Sequence, residues 1–253
     1  MSITKSTKVF LGLLAVYAFL AAISLYLPQT SSGLGQEFPS TLPAAKWLVA
    51  LAVFGLIFIV YGLLGYLGLK LAKKIGIPDI LTSEVSHKQR FLFPALAGVI
   101  SGVVLIIGDS IFSQFNGIGH FVHPAFPASI LATISAGIGE EMLFRLFFIS
   151  FWTWLISRVI FRGKYSTQIF WLVAVLSAIV FGLAHYPAIM YLYKFPSFSA
   201  VPLGLQIELL SLNGLVSLVA AYFYKKVGYL GAVGVHLWID VVWHVILGLI
   251  IIN

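Results

Sequence analysis

Seven ionisable residues interrupt stretches that are otherwise apolar enough to cross a bilayer, and they fall into three short patterns. The patterns are Glu140-Glu141-x-x-x-Arg145, Phe181-x-x-x-His185 and His236-x-x-x-Asp240-x-x-x-His244. A charge at bilayer depth is costly, so such residues are rare and usually face a bundle interior or a wet cavity. A carboxylate pair, an arginine, an aspartate and three histidines carried by three spans read as one buried reaction centre.

Helical spacing sets what each pattern can do. Residues i and i+4 share a helix face, so Glu141 and Arg145 are expected to pair, with Glu140 turned away from them toward a cavity. A carboxylate against an apolar wall suits a general base acting on water. The competing reading is an inert buried ion-pair cluster. His185 follows Phe181 by one turn, which lets the ring restrict the imidazole; a lone histidine before Tyr186-Pro187 is otherwise an interfacial or capping residue. His236, Asp240 and His244 form a drifting stripe that could bind a metal, relay protons or hold an oxyanion, or simply bond helices together. No HExxH motif is present, so a zincin site is not supported.

The rest of the chain must position these groups. Of 253 residues, 60% are hydrophobic and 9% charged, whereas soluble domains carry about 25% charged residues. An all-α, polytopic membrane bundle is therefore expected. Apolar runs mark seven spans: 9–28, 47–69, 91–108, 127–156, 168–186, 203–224 and 229–252. The first is long enough to cross and reads as an uncleaved helix rather than a signal peptide, Ser31-Ser32-Gly33 being a weak cleavage site. The fourth is long, and Gly137 and Gly139 are expected to kink or unwind it before Glu140. Segment 109–126 reads as a loop, with Asp109, His120 and His123 solvated, and 187–202 as a loop or short re-entrant piece that leaves room for an eighth element. Glu208 and Asn213 are expected to bond between helices or to line the cavity. The chain divides into N-terminal helices over 1–124 and a catalytic core over 125–253, within one compact unit.

Basic residues give the orientation. Twelve of the 15 flank the span ends on one side, against Lys46 and Lys194 on the other and Arg145 within a span. The positive-inside rule then puts the N-terminus in the cytoplasm and the C-terminus outside. This topology accounts for the net charge of +7 without a nucleic-acid partner, for which no basic stripe exists. With no cysteine, disulfides, thiolate metal sites and a cysteine nucleophile are excluded. Counting rise along straight helices from the nearest basic residue puts Glu140, His185 and His244 at one level and Asp240 beside Arg145. The same count leaves His236 ~12 Å below Glu140. It also sets Glu140 nearer the outer leaflet.

Taken in order on separate spans, Glu-Glu-x-x-x-Arg, Phe-x-x-x-His and His-x-x-x-Asp resemble the CPBP family of intramembrane proteases. That family includes the type II CAAX prenyl endopeptidases and bacteriocin self-immunity proteins, and the likeness covers about residues 125–250. The resemblance implies peptide-bond hydrolysis within the membrane, with Glu140 as the catalytic glutamate and Glu141 and Arg145 completing its motif. His185 would help Glu140 hold or activate water, and His236 and Asp240 would stabilise the oxyanion. An ionised aspartate cannot donate to an oxyanion, so Asp240 must be protonated, orient His236 or bind a metal. His244 lies beyond the motif.

The cofactor expectation is none, or one divalent metal such as zinc on Glu140, His185, His236 and Asp240, with a lean to the metal-free mechanism. The expected partners are membrane lipid and a peptide or prenylated protein substrate, in a prokaryotic cell membrane. Two readings from other classes compete: a proton- or ion-coupled transporter, and a non-catalytic immunity or scaffold protein.

Overall fold

A computed structural model describes residues 4–26 and 45–251; Ser31-Ser32-Gly33 lies outside them. Among the described residues seven helices are long and apolar enough to cross a membrane: α1 (Lys5–Ser24), α2 (Lys46–Lys74), α3 (Lys88–Phe112), α4 (Ala128–Ile160), α5 (Ser166–Leu192), α6 (Leu203–Val227) and α7 (Tyr229–Ile250). The protein is an all-α polytopic membrane bundle. Lipid offers the backbone no hydrogen bonds, so each span must satisfy its own, and helices do so.

Helix α7 is central, packing on α3, α4 and α6, while α5 packs on α6 and the α1–α2 pair leans on α4. Helix α2 is peripheral and leaves Leu51, Leu56, Ile59 and Leu63 exposed, as a lipid-facing surface requires. Lipid tails are as apolar as leucine, so close backbone approach drives association, and small residues permit it. A Cβ on Gly98 of α3 would lie 2.6 Å from the Val235 carbonyl oxygen of α7, and one on Gly102 would lie 2.7 Å from Val242 Cβ.

Glycine has the same role in α4, which corrects an expectation. Gly137 faces Leu237 and Gly139 faces the Tyr17 ring of α1, and the helix runs on unbroken through both. The irregularity comes after Glu141, where Met142–Ile149 form wide π-helical turns, as do Trp154–Ile160 further on. Helix α7 widens likewise over Val241–Ile246, immediately after Asp240.

The two ends of the bundle differ. At the end rich in basic residues, Lys74 sits 5.4 Å from the centre of the Trp154 ring and Lys225 4.3 Å from that of Phe170. At the opposite end, segment 113–127 and the stretch after α5 form a cap with its own small core of Tyr186, Val201, Leu205 and Leu209, joined by Ile118 and Phe121. Residues 187–192, read from sequence as loop or re-entrant, continue α5 as helix; a single turn, Phe198–Ala200, follows.

Candidate active site

The buried centre begins with Glu141 and Arg145, both 0% exposed, whose Oε2 and Nε lie 3.1 Å apart. The guanidinium lies 4.9 Å from the centre of the Phe181 ring, a cation–π contact that shields it in place of water. Glu141 has a second task. Its Oε1 accepts a 2.7 Å hydrogen bond from His236 Nδ1, which fixes the proton on that nitrogen. The opposite nitrogen of His236, Nε2, then points between two carboxylates, 3.8 Å from Glu140 Oε2 and 3.6 Å from Asp240 Oδ2.

Glu140 differs from Glu141 in surroundings. Its side chain is 36% exposed and borders a cavity of about 210 Å³, so water can reach it. His185 borders the same cavity, and its sequence explains how it is held. Pro187 has no N–H and disrupts the helix just before it, so His185 lies at a joint between Ser166–Ala184 and Tyr186–Leu192. There its backbone N–H bonds back to the Gly182 carbonyl at 3.2 Å. This leaves the Phe181 carbonyl to accept a 2.8 Å bond from His185 Nδ1. A carbonyl only accepts, so Nδ1 carries the proton and Nε2 keeps its lone pair in the neutral ring. The Phe181 ring also packs edge-on against the imidazole at 4.9 Å, as the Phe-x-x-x-His spacing predicts.

All seven ionisable residues singled out from the sequence therefore meet around one centre: five form the linked cluster, and His185 and His244 line the cavity beside it. The ~12 Å gap expected between His236 and Glu140 is overturned by their 3.8 Å approach. The count assumed straight helices of uniform rise, whereas α4 contains two runs of π turns that hold more residues per turn. The expected meeting of Asp240 with Arg145 is also replaced: Asp240 faces His236, and Arg145 faces Glu141 and Phe181.

Outside the motifs, Asp109 and His123 are buried rather than solvated; only His120 is exposed. Asp109 accepts from the His120 ring and, at 3.1 Å, from the Phe121 backbone N–H. Burial pushes the His123 pKa down against the opposing pull of Asp109, and its Nδ1 meets His244 Nδ1 at 3.2 Å. Glu208 is fully buried and accepts a 2.7 Å bond from Asn116, tying α6 to segment 113–127. Asn213 lines the cavity and donates to the Leu209 carbonyl. Sequence reasoning missed Asn116 and Trp243, a cavity residue, because their roles depend on neighbours more than 20 positions away.

Among the described residues no three His, Asp or Glu side chains converge as a group that could hold a divalent metal. The Nδ1 of His236 is engaged by Glu141 and that of His185 by a carbonyl, leaving one nitrogen of each ring. Each ring keeps a ligating nitrogen, but the described side chains do not converge on a ready metal set.

Residues 122–242 match the family model described as type II CAAX prenyl endopeptidase Rce1-like. Over these residues the chain is similar to that family. The match spans Glu140 to Asp240, taking in α4, α5, α6 and the first part of α7, and at the level of the family it supports an intramembrane endopeptidase. No curated protein and no solved structure matches the chain.

Proposed function

We propose that this Rce1-like chain hydrolyses peptide bonds with water activated by Glu140, the substrate being a peptide or prenylated protein of the CAAX type. The observation that carries the proposal is the contrast between adjacent carboxylates. Glu141 is sealed between Arg145 and His236, and Glu140 borders a cavity within 3.8 Å of His236 Nε2. In the reaction, water bound at the cavity floor gives a proton to Glu140 while His185 Nε2 accepts its other hydrogen bond. The oxygen attacks the carbonyl carbon of the substrate, and the resulting oxyanion is met by His236 Nε2–H. Because Glu141 holds the Nδ1–H, this donation uses the doubly protonated ring, whose Nε2 lies 3.6 Å from Asp240 Oδ2. Glu140 then passes its proton to the amine nitrogen as the C–N bond breaks. Glu141 and Arg145 act through His236 and touch no reacting atom.

Purified protein in proteoliposomes should cleave a fluorogenic peptide, tested in prenylated and unmodified forms, and Glu140→Gln should not. A general base contributes about 10²–10⁴-fold in rate, so turnover by Glu140→Gln at the wild-type rate overturns the assignment. Ion flux without cleavage by the wild type would establish the transporter reading instead.

A further inference from the structure

Among the ionisable residues at the centre, His244 is the one that the proposed reaction leaves without a task. It lines the same cavity as Glu140, His185 and His236. In a regular helix, a residue eight positions after His236 would face about 80° away from it. The wide turns of Val241–Ile246 hold more residues per turn, which takes up part of that drift. The ring is held from outside its own helix. Its Nδ1 meets Nδ1 of the buried His123 at 3.2 Å, the two rings cross at 5.3 Å, and Trp243 packs edge-on against His123 at 4.8 Å. With Nδ1 engaged, Nε2 is the nitrogen that His244 can offer to the cavity. The acids of this end are committed elsewhere. Asp109 accepts from His120 and from the Phe121 N–H, and Glu208 accepts from Asn116.

Resting on the peptidase reading above, we infer that His244 forms a subsite for the substrate's C-terminal carboxylate, three residues beyond the scissile bond. The lengths agree. Along α7, His244 lies at most ~12 Å from His236, and three extended residues of substrate span ~10–11 Å. A chain of the CAAX type ends three residues after its modified cysteine. Cut at that cysteine, with the scissile carbonyl at His236, it brings its terminal carboxylate to His244. The chemistry agrees as well. An imidazole N–H donates to a carboxylate, and an anion beside the histidine pair favours uptake of a proton by it. Glu140, at the reacting end, repels the same anion. Leu105, Leu212 and Trp243 in the cavity wall suit apolar side chains and leave the terminal charge to the imidazole. A histidine pair that only fastened segment 113–127 to α7 would make cleavage indifferent to that charge.

The test compares two farnesylated fluorogenic peptides in proteoliposomes. Both end three residues after the farnesylated cysteine, one in a free carboxylate and one in a carboxamide. The wild type should cleave the acid with a kcat/KM about 10–100-fold above that of the amide, the usual range for a hydrogen bond to a charged group. In His244→Phe, which keeps a ring and loses both nitrogens, the ratio should fall toward one. Peptides extended by two residues should show no such preference in the wild type. Equal cleavage of acid and amide by the wild type overturns the inference and leaves the peptidase reading standing. So does a ratio that His244→Phe retains, or a preference that persists in the longer peptides. Should His244→Phe fail to fold, carbethoxylation of the wild type, mapped by mass spectrometry, decides instead. The free tripeptide product should shield His244 from diethyl pyrocarbonate, and its amide should not; equal modification overturns the inference. No cleavage of either peptide by the wild type overturns the peptidase reading and the inference with it.

Discussion

At the scale of single residues, the centre is a chain of charges in which each group fixes the next. Arg145 holds Glu141, Glu141 orients His236, and His236 faces Glu140 and Asp240. Removing the first link leaves a carboxylate buried without its cation, which costs roughly 3–5 kcal/mol. Arg145→Ala should therefore melt well below the wild type in detergent, and an unchanged Tm would argue that Arg145 is not the structural partner of Glu141. A metal requirement is tested at the same scale. With no three donors converging among the described residues, activity should survive a strong chelator. Elemental analysis before and after treatment gives the check. Stoichiometric zinc whose removal abolishes cleavage, and whose return restores it, would reverse this expectation.

At the scale of elements, the site is placed by two kinds of local feature. One is the joint at Pro187, which turns the His185 ring onto a freed carbonyl. The other is the glycine seam of α3, which brings α7 close enough to set His236 against α4. Gly98→Ala would put a methyl carbon 2.6 Å from the Val235 carbonyl oxygen, next to His236. Since backbone cannot swing aside like a flexible side chain, the helices must part, at a cost of about 1–3 kcal/mol. The variant should lose thermal stability and cleavage together. Gly55→Ala on lipid-facing α2, where an added Cβ meets nothing within 4 Å, should change neither.

At the scale of the whole molecule, segment 113–127 caps the end of the bundle toward which the cavity lies. Asn116 and Glu208 pin that cap to α6 at 2.7 Å. Asn116→Ala strands a buried acceptor, at about 1–3 kcal/mol, and should make segment 113–127 more sensitive to limited proteolysis. Glu208→Gln keeps an oxygen that Asn116 can donate to and should stay close to wild type. Equal protease sensitivity in Asn116→Ala and the wild type would show that the cap is held by its apolar contacts alone.

The sequence by itself determined the membrane class, the seven spans and the residues of the centre. Each of these depends on local composition or on i, i+4 spacing, which a helix translates directly into shared faces. Glu141–Arg145 and Phe181–His185 were legible for that reason. The tertiary structure alone decided which carboxylate meets His236, because that contact joins residues 95 positions apart. It also decided the depth of Glu140 relative to His236, which depends on π turns in α4 whose widening leaves no mark in hydrophobic periodicity. Asp109 and His123 read as solvated because polar residues between spans usually are. Their burial required a cap built from two stretches far apart in the chain, 113–127 and 186–209. The two glycines before Glu140 were read as breaks in α4 because glycine weakens an isolated helix. Within the bundle the same lack of a side chain admits Tyr17 and Leu237, and packing outweighs propensity.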